Sequence, residues 1–261
     1  MIFLKNAEEI ELLRESNLLV GKTLGEMAKH IRPGISTLEL DRIAEEFIRD
    51  HGAVPGFLGY GGFPNTLCIS VNDAVVHGIP AADCFLKEGD VVSIDCGTLM
   101  NGYYGDSAYT FEVGEVKEEV RKLLRVTKEA LYKGIENAVH GKRLGDIGYA
   151  IQQHCEAQSY EVVREFVGHG IGKEMHEQPQ VPNYGKRGTG TLLKKGMCIA
   201  IEPMITQGSR QIVMESDCWT IRTRDRKCAA HFEHTVAIGL DKADILSSFE
   251  FIEQVLGDKA I

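Results

Sequence analysis

Apolar residues near the start of the chain recur at roughly helical intervals: Ile10, Leu13, Val20, Leu24, Met27 and Ile31 mark one face of a helix. Asn6, followed three residues later by Glu9, supplies a capping box in which each side chain satisfies a free backbone N–H of the other residue. Pro33-Gly34 ends the helix, and Ser36 with Glu39 opens a second one that runs to Gly52. Two more helical stretches are predicted near 118–138 and 145–158. Thr66 to Val71 reads as a strand, the segments on either side of Asn101-Gly102 are β-prone, and strand-rich sequence returns from Glu161 onward. No linker, low-complexity tract or change of composition divides residues 1–261, which predicts a single α+β domain.

Asn101-Gly102 is the strongest short hairpin signal in the chain. A two-residue turn there pairs Met100 with Tyr103, which sets Gly97 opposite Asp106 and Asp95 opposite Ala108. Side chains alternate between faces, so Asp95 and Asp106 share one face as diagonal neighbours, about 7–8 Å apart at the backbone. Gly97 leaves space beside them.

Segment 86–95, LKEGDVVSID, is echoed 107 residues later by segment 193–202, LKKGMCIAIE. Four of the ten positions are identical, and both segments run from a turn glycine through a β-prone stretch to a carboxylate, Asp95 or Glu202. A weaker echo relates His77-Gly78-Ile79-Pro80 to His169-Gly170-Ile171-Gly172, again upstream of the repeated strand. Two echoes in the same order predict two related halves that deliver acids to a shared centre. Glu233 lies in another strand-like segment, on the same face as His231 and Thr235.

Four carboxylates and one imidazole (Asp95, Asp106, His169, Glu202 and Glu233) suit two hard or borderline divalent cations, whereas a structural zinc site favours thiolates and imidazoles. Two like charges 4 Å apart repel by about 4 kcal/mol at an effective dielectric near 20. Several converging acids therefore need cations or protons to neutralise them. A metal pair that activates water makes hydrolysis the leading reaction class.

The remaining composition narrows the partners. Net charge is −9 with no block of Lys or Arg, which argues against extended nucleic-acid binding. Seven cysteines lack any Cys-x-x-Cys pair, the N-terminus turns charged by Glu8, and no apolar run spans a bilayer. A cytoplasmic protein with reduced thiols and no membrane partner is expected. His30, His51, His140 and His154 read as ordinary surface residues, and His231 and His234 as supports for Glu233.

In family order and across nearly the whole chain, NDAVVHGIP (72–80), SIDCGTLMNGYYGDSAYTF (93–111), GHGIGKEMHEQPQVPNYG (168–185), IEPM (201–204) and HFEHTVAI (231–238) resemble the motifs of type I methionine aminopeptidases, members of peptidase family M24. The resemblance implies the pita-bread fold: two pseudo-symmetric halves of antiparallel sheet with outer helices and a dinuclear centre between them. It implies that Asp95 holds one metal, that His169 and Glu202 hold the other, and that Asp106 and Glu233 bridge both around a hydroxide. The ions are Co, Mn, Fe or Zn. Glu202 moves the proton of that water, His176 stabilises the oxyanion, and His77 faces the substrate amide and second residue.

By the same resemblance Tyr60, Phe63, Cys68, Met175 and Trp219 line the methionine pocket, with Phe57 near its rim. Phe57 and Met175 depart from the Cys and Phe familiar in bacterial relatives, which bears on pocket width. The implied reaction removes N-terminal methionine from nascent polypeptides when the second residue is small. A monomer working near the ribosome is expected. The rivals are prolidase or aminopeptidase P, which typically carry an additional N-terminal domain, a non-catalytic pita-bread binding protein, and a dinuclear phosphoesterase, whose substrates favour a basic groove not visible here.

Overall fold

The computed structural model describes all 261 residues. The capping box forms as the sequence predicts: Asn6 accepts the Glu9 N–H at 3.0 Å, Glu9 accepts the Asn6 N–H at 3.0 Å, and α1 runs Ala7–His30. Ser36 accepts the Glu39 N–H at 3.2 Å and opens α2, Thr37–Asp50. Helices α3 (Glu118–Ile135) and α4 (Leu144–Ala157) fill the two later periodic stretches. A short helix, α5 (Glu250–Leu256), was not expected. Seven residues are too few to display a periodic pattern. It lies against α1, where a Cβ on Gly25 would sit 2.9 Å from Phe251 Cβ, so the glycine permits the close approach. No helix is long and apolar enough to cross a membrane, and all seven cysteines are free thiols.

Strands Val91–Met100 and Tyr103–Glu112 form a hairpin in the predicted register, with Met100 opposite Tyr103, Gly97 opposite Asp106 and Asp95 opposite Ala108. The turn residues Asn101 and Gly102 have φ of 53° and 78°, left-handed as a two-residue hairpin turn requires. Strand Leu67–Val71 flanks Val91–Met100 antiparallel on its other edge. Alternation along Tyr103–Glu112 sends Tyr109 and Phe111 into the main core, where Tyr109 packs 4.9 Å from Phe232 and 5.0 Å from Phe249. Asp106, Ala108 and Thr110 point the opposite way.

The second half repeats this plan with an interruption. Segments 198–206 and 229–237 share one register, Ile201 opposite His234 and Met204 opposite His231. That register sets Glu202 opposite Glu233 and Pro203 opposite Phe232. The ladder opens at those four residues. Pro203 has no N–H, and the Glu233 N–H reaches out of the half to Ala108 O at 2.9 Å.

This contact marks a pseudo-twofold axis. The echo equates Asp95 with Glu202, and therefore their cross-strand partners Ala108 and Glu233. The same offset maps Thr110 onto Thr235 and Asp106 onto His231. Thr110 Oγ1 donates to His231 O at 2.8 Å, and Thr235 Oγ1 donates to Asp106 O at 2.9 Å. The two bonds are mates under the axis, so a repeat read from ten residues returns as paired contacts between the halves. Ser107 Oγ adds a bond to Glu233 O at 2.6 Å that the Phe232 side chain cannot mirror.

Candidate metal centre

The two hairpins deliver their acids to one cavity between the halves. Asp95, Asp106, His169, Glu202 and Glu233 all line it. His169 sits on strand Gly168–Gly170, with Nδ1 2.9 Å from Gly170 O. A carbonyl only accepts, so Nδ1 carries a proton and Nε2 is the atom that would serve a metal once the ring is neutral. That Nε2 lies 3.5 Å from Asp106 Oδ2 and 3.7 Å from Glu202 Oε1. Donor atoms of Asp106, His169 and Glu233 all fall within 4.8 Å of one another. His231 closes the rear of the site, its Nε2 3.6 Å from Glu202 Oε2.

The electrostatics are those of a site built for cations. Asp95 Oδ1, Asp106 Oδ1 and Glu233 Oε1 are buried and accept no hydrogen bond. Burial first, then the charges of Asp106 and Glu202, hold the Asp95 carboxyl well above its usual range. Burial also raises Glu233 strongly, followed by Asp106, Glu202 and Asp95. Burial alone would lower His169, but its contact with Asp106 and the charge of Glu202 outweigh that and raise it. Orphaned carboxylate oxygens beside one imidazole fit hard or borderline divalent ions. The nearby thiols of Cys68 and Cys96 are pushed up by burial and by Asp95, and so remain protonated.

Two further histidines face the cavity. His176 Nδ1 lies 2.9 Å from the Tyr60 hydroxyl, and its ring centroid is 4.2 Å from that of His169. Burial and the neighbouring His169 lower its pKa. His77 has φ of 58°, a left-handed conformation uncommon for a side chain of this size and frequent at functional sites. Its ring packs edge-on against Phe166 at 5.3 Å and Trp219 at 6.4 Å, and burial lowers its pKa.

Beside the acids the cavity becomes apolar. It encloses about 240 Å³, with walls that include Phe57, Tyr60, Phe63, Cys68 and Trp219. Met175 lies behind this wall, wholly buried. A Cβ on Gly97 would lie 2.6 Å from Phe57 Cε1 and 2.7 Å from Met175 Cε, so these two side chains pack over the bare glycine.

A model of metallopeptidase family M24 matches residues 11–239. The chain belongs to that family. It is 51% identical over 250 residues to a methionine aminopeptidase of Clostridium acetobutylicum, a match covering 96% of this chain and all of the relative. The crystal structure of methionine aminopeptidase from Rickettsia prowazekii superposes with a TM-score of 0.93 at 40% identity, covering 95% of this chain and 100% of that one. A Xaa-Pro dipeptidase from Bacillus anthracis superposes at 0.77 with 22% identity, covering 94% of this chain and 62% of that one, which shows a common fold.

The pita-bread architecture read from the sequence is thus the fold of this M24 chain. Sequence reasoning overlooked several residues at the centre. Phe166, Val76, Val167 and Met204 complete the cavity wall. Asn183, buried in the PNYG stretch, donates from Nδ2 to Glu202 O at 2.9 Å and steadies the acid from outside. No motif spacing points to them, because they act through tertiary packing. The available signal was position within a matched motif, Val76 in NDAVVHGIP, Asn183 in GHGIGKEMHEQPQVPNYG and Met204 in IEPM; Phe166 and Val167 had none.

Proposed function

We propose that this M24 peptidase is a methionine aminopeptidase. It releases the N-terminal methionine of nascent polypeptides when the second residue is small, and its catalytic domain is residues 1–261. The observation that carries this reading is one cavity with two walls: a cluster of orphaned carboxylates on one side and an uncharged, aromatic- and sulfur-lined recess on the other. An unbranched thioether side chain suits that recess.

Asp106 and Glu233 would each serve two divalent cations, with Asp95 on one and His169 and Glu202 on the other. Co, Mn, Fe or Zn in this place would lower the pKa of a water and polarise the scissile carbonyl. Glu202 accepts the proton of the attacking water. His176, with Nδ1 engaged by Tyr60, offers Nε2 to the carbonyl oxygen as negative charge develops on it. His77 faces the departing amide and limits the second residue to small side chains. Phe57, Tyr60, Phe63, Cys68 and Trp219 surround the methionine side chain, and Met175 sets the depth of that recess from behind. The seven free thiols suit a reducing cytoplasm, where a monomer would meet chains emerging from the ribosome.

The test is chelation followed by re-addition of each metal separately, with methionine release followed from Met-Ala and Met-Leu peptides and an Xaa-Pro peptide as control. Metal-dependent release from Met-Ala, with Met-Leu refused, is the expected pattern. Preferential cleavage of the Xaa-Pro peptide, or full turnover after chelation, would reject the reading.

A further inference from the structure

Lys5 and Glu177 are charged residues that lie outside the cavity, yet their side chains are only 6% exposed and form an ion pair with each other. A buried pair of this kind gains little stability over packed apolar side chains, because both ions lose their hydration. What it can fix is position. The Lys5 backbone is itself anchored, its N–H donating to Gly196 O at 2.7 Å, just before the strand that leads to Glu202.

Glu177 stands at the junction of the two histidines. It follows His176 directly, and in the sheet it pairs with Gly170, the neighbour of His169. Its Oε1 accepts the Lys173 N–H at 3.1 Å, which closes the loop that carries Met175 and His176. Gly172 at the base of that loop is packed against the same pair. A Cβ there would lie 2.7 Å from Lys5 Cε and would also strike Glu177 Oε1. Opposite, the Tyr104 N–H donates to Gly172 O at 2.9 Å, tying the loop to the hairpin that bears Asp95 and Asp106.

We propose that the Lys5–Glu177 pair positions His176, holding loop 172–177 closed so that the imidazole meets the substrate carbonyl; this rests on the function proposed above. Neither residue lines the cavity. Without Lys5, the Glu177 carboxylate must turn to water, and the Lys173 N–H loses its acceptor. The loop then opens and His176 is presented in many orientations instead of one.

The experiment compares Lys5→Met, Lys5→Arg and Glu177→Gln with the parent, each also on a His176→Ala background, using Met-Ala peptide and saturating Mn²⁺. Lys5→Met should lower kcat about tenfold and leave KM within about twofold, the pattern of an interaction used in the transition state. Bound metal should not change, and Lys5→Arg should recover most of the loss. On the His176→Ala background Lys5→Met should cost nothing further. Amide exchange at Lys173 and Glu177 in the metal-free protein should quicken about tenfold or more in Lys5→Met and Glu177→Gln.

Unchanged kcat and exchange would overturn the proposal. So would an equal loss of kcat with and without His176, which would mean a general weakening of the fold. If Lys5→Met does not fold, the isosteric Glu177→Gln carries the same readouts. A parent enzyme that releases no methionine would reject the proposed function instead, and the exchange measurement would still judge the pair.

Discussion

Replacing Glu233 with Gln should stabilise the metal-free protein while abolishing its stabilisation by metal. Glu233 Oε1 is buried and accepts no hydrogen bond, so the isosteric amide removes charge without removing a structural contact of that atom. Its carboxylate lies within 4.8 Å of a donor atom of Asp106. At an effective dielectric near 20, that separation corresponds to about 3.5 kcal/mol of repulsion. Protonation relieves part of it, since burial and the neighbouring acids raise Glu233 well above its ordinary range. A gain of about 2–3 kcal/mol, or roughly 5–10 °C in melting temperature, is expected in EDTA. With Mn²⁺ at about 100 times its dissociation constant, the parent should gain about 2.7 kcal/mol and the variant almost nothing. Thermal melts in EDTA and in Mn²⁺ read both arms. If Glu233→Gln melts below the parent in EDTA, the carboxylate supports the fold on its own account and the repulsion argument fails.

Further perturbations separate the parts of the centre. Asp95 and Glu233 have raised values in the folded chain against 3.8 and 4.5 unfolded, so the folded chain binds protons that the unfolded chain does not. Their contribution is greatest below the unfolded values and is lost as pH rises through the folded ones; chelated parent should lose stability relative to Glu233→Gln as pH rises above 4.5, and denaturant melts showing no such divergence would contradict this. His234 has the opposite sign: burial depresses it from 6.5 to about 3, so its contribution is complete above 6.5 and is lost as pH falls toward 3. His234→Gln should flatten the acid side of the stability curve, and an unchanged slope would remove His234 from the account. Gly97→Ala must displace Phe57 or Met175, and should raise KM for Met-Ala peptide about tenfold while leaving bound metal unchanged; loss of metal instead would show that the glycine protects the acids. Thr235→Val removes one bond across the axis and Thr110→Val removes two, to His231 O and from the His231 N–H, so equilibrium melts should give about 1–3 kcal/mol for Thr235→Val and a larger loss for Thr110→Val. An equal or smaller loss for Thr110→Val would contradict this.

The sequence made the first half more legible than the second. Asn101-Gly102 determined a hairpin whose every pairing could be counted outward from the turn, and Asp95 and Asp106 fell on one face by parity alone. The matching hairpin of the second half has no such turn. Its strands are joined by a long excursion that contains two short strands of its own, Ile212–Met214 and Ile221–Thr223. The opposition of Glu202 and Glu233 therefore could not be counted, and only the LKKGMCIAIE echo hinted at it. The Glu233 N–H crossing to Ala108 has no local signature, since nothing in HFEHTVAI says that one amide leaves its own sheet. The Lys5–Glu177 pair joins residues 172 positions apart and was equally invisible. Side chains that act by long-range packing, such as Asn183 and Phe166, became apparent only in three dimensions.

Crystals of the protein soaked in Mn²⁺ offer the most direct measurement, with anomalous scattering locating each ion. Two peaks are expected, both touching Asp106 and Glu233, one of them also Asp95 and the other also His169 and Glu202. A single peak, or ions bound away from these five side chains, would contradict the claim that the two halves close around a metal pair.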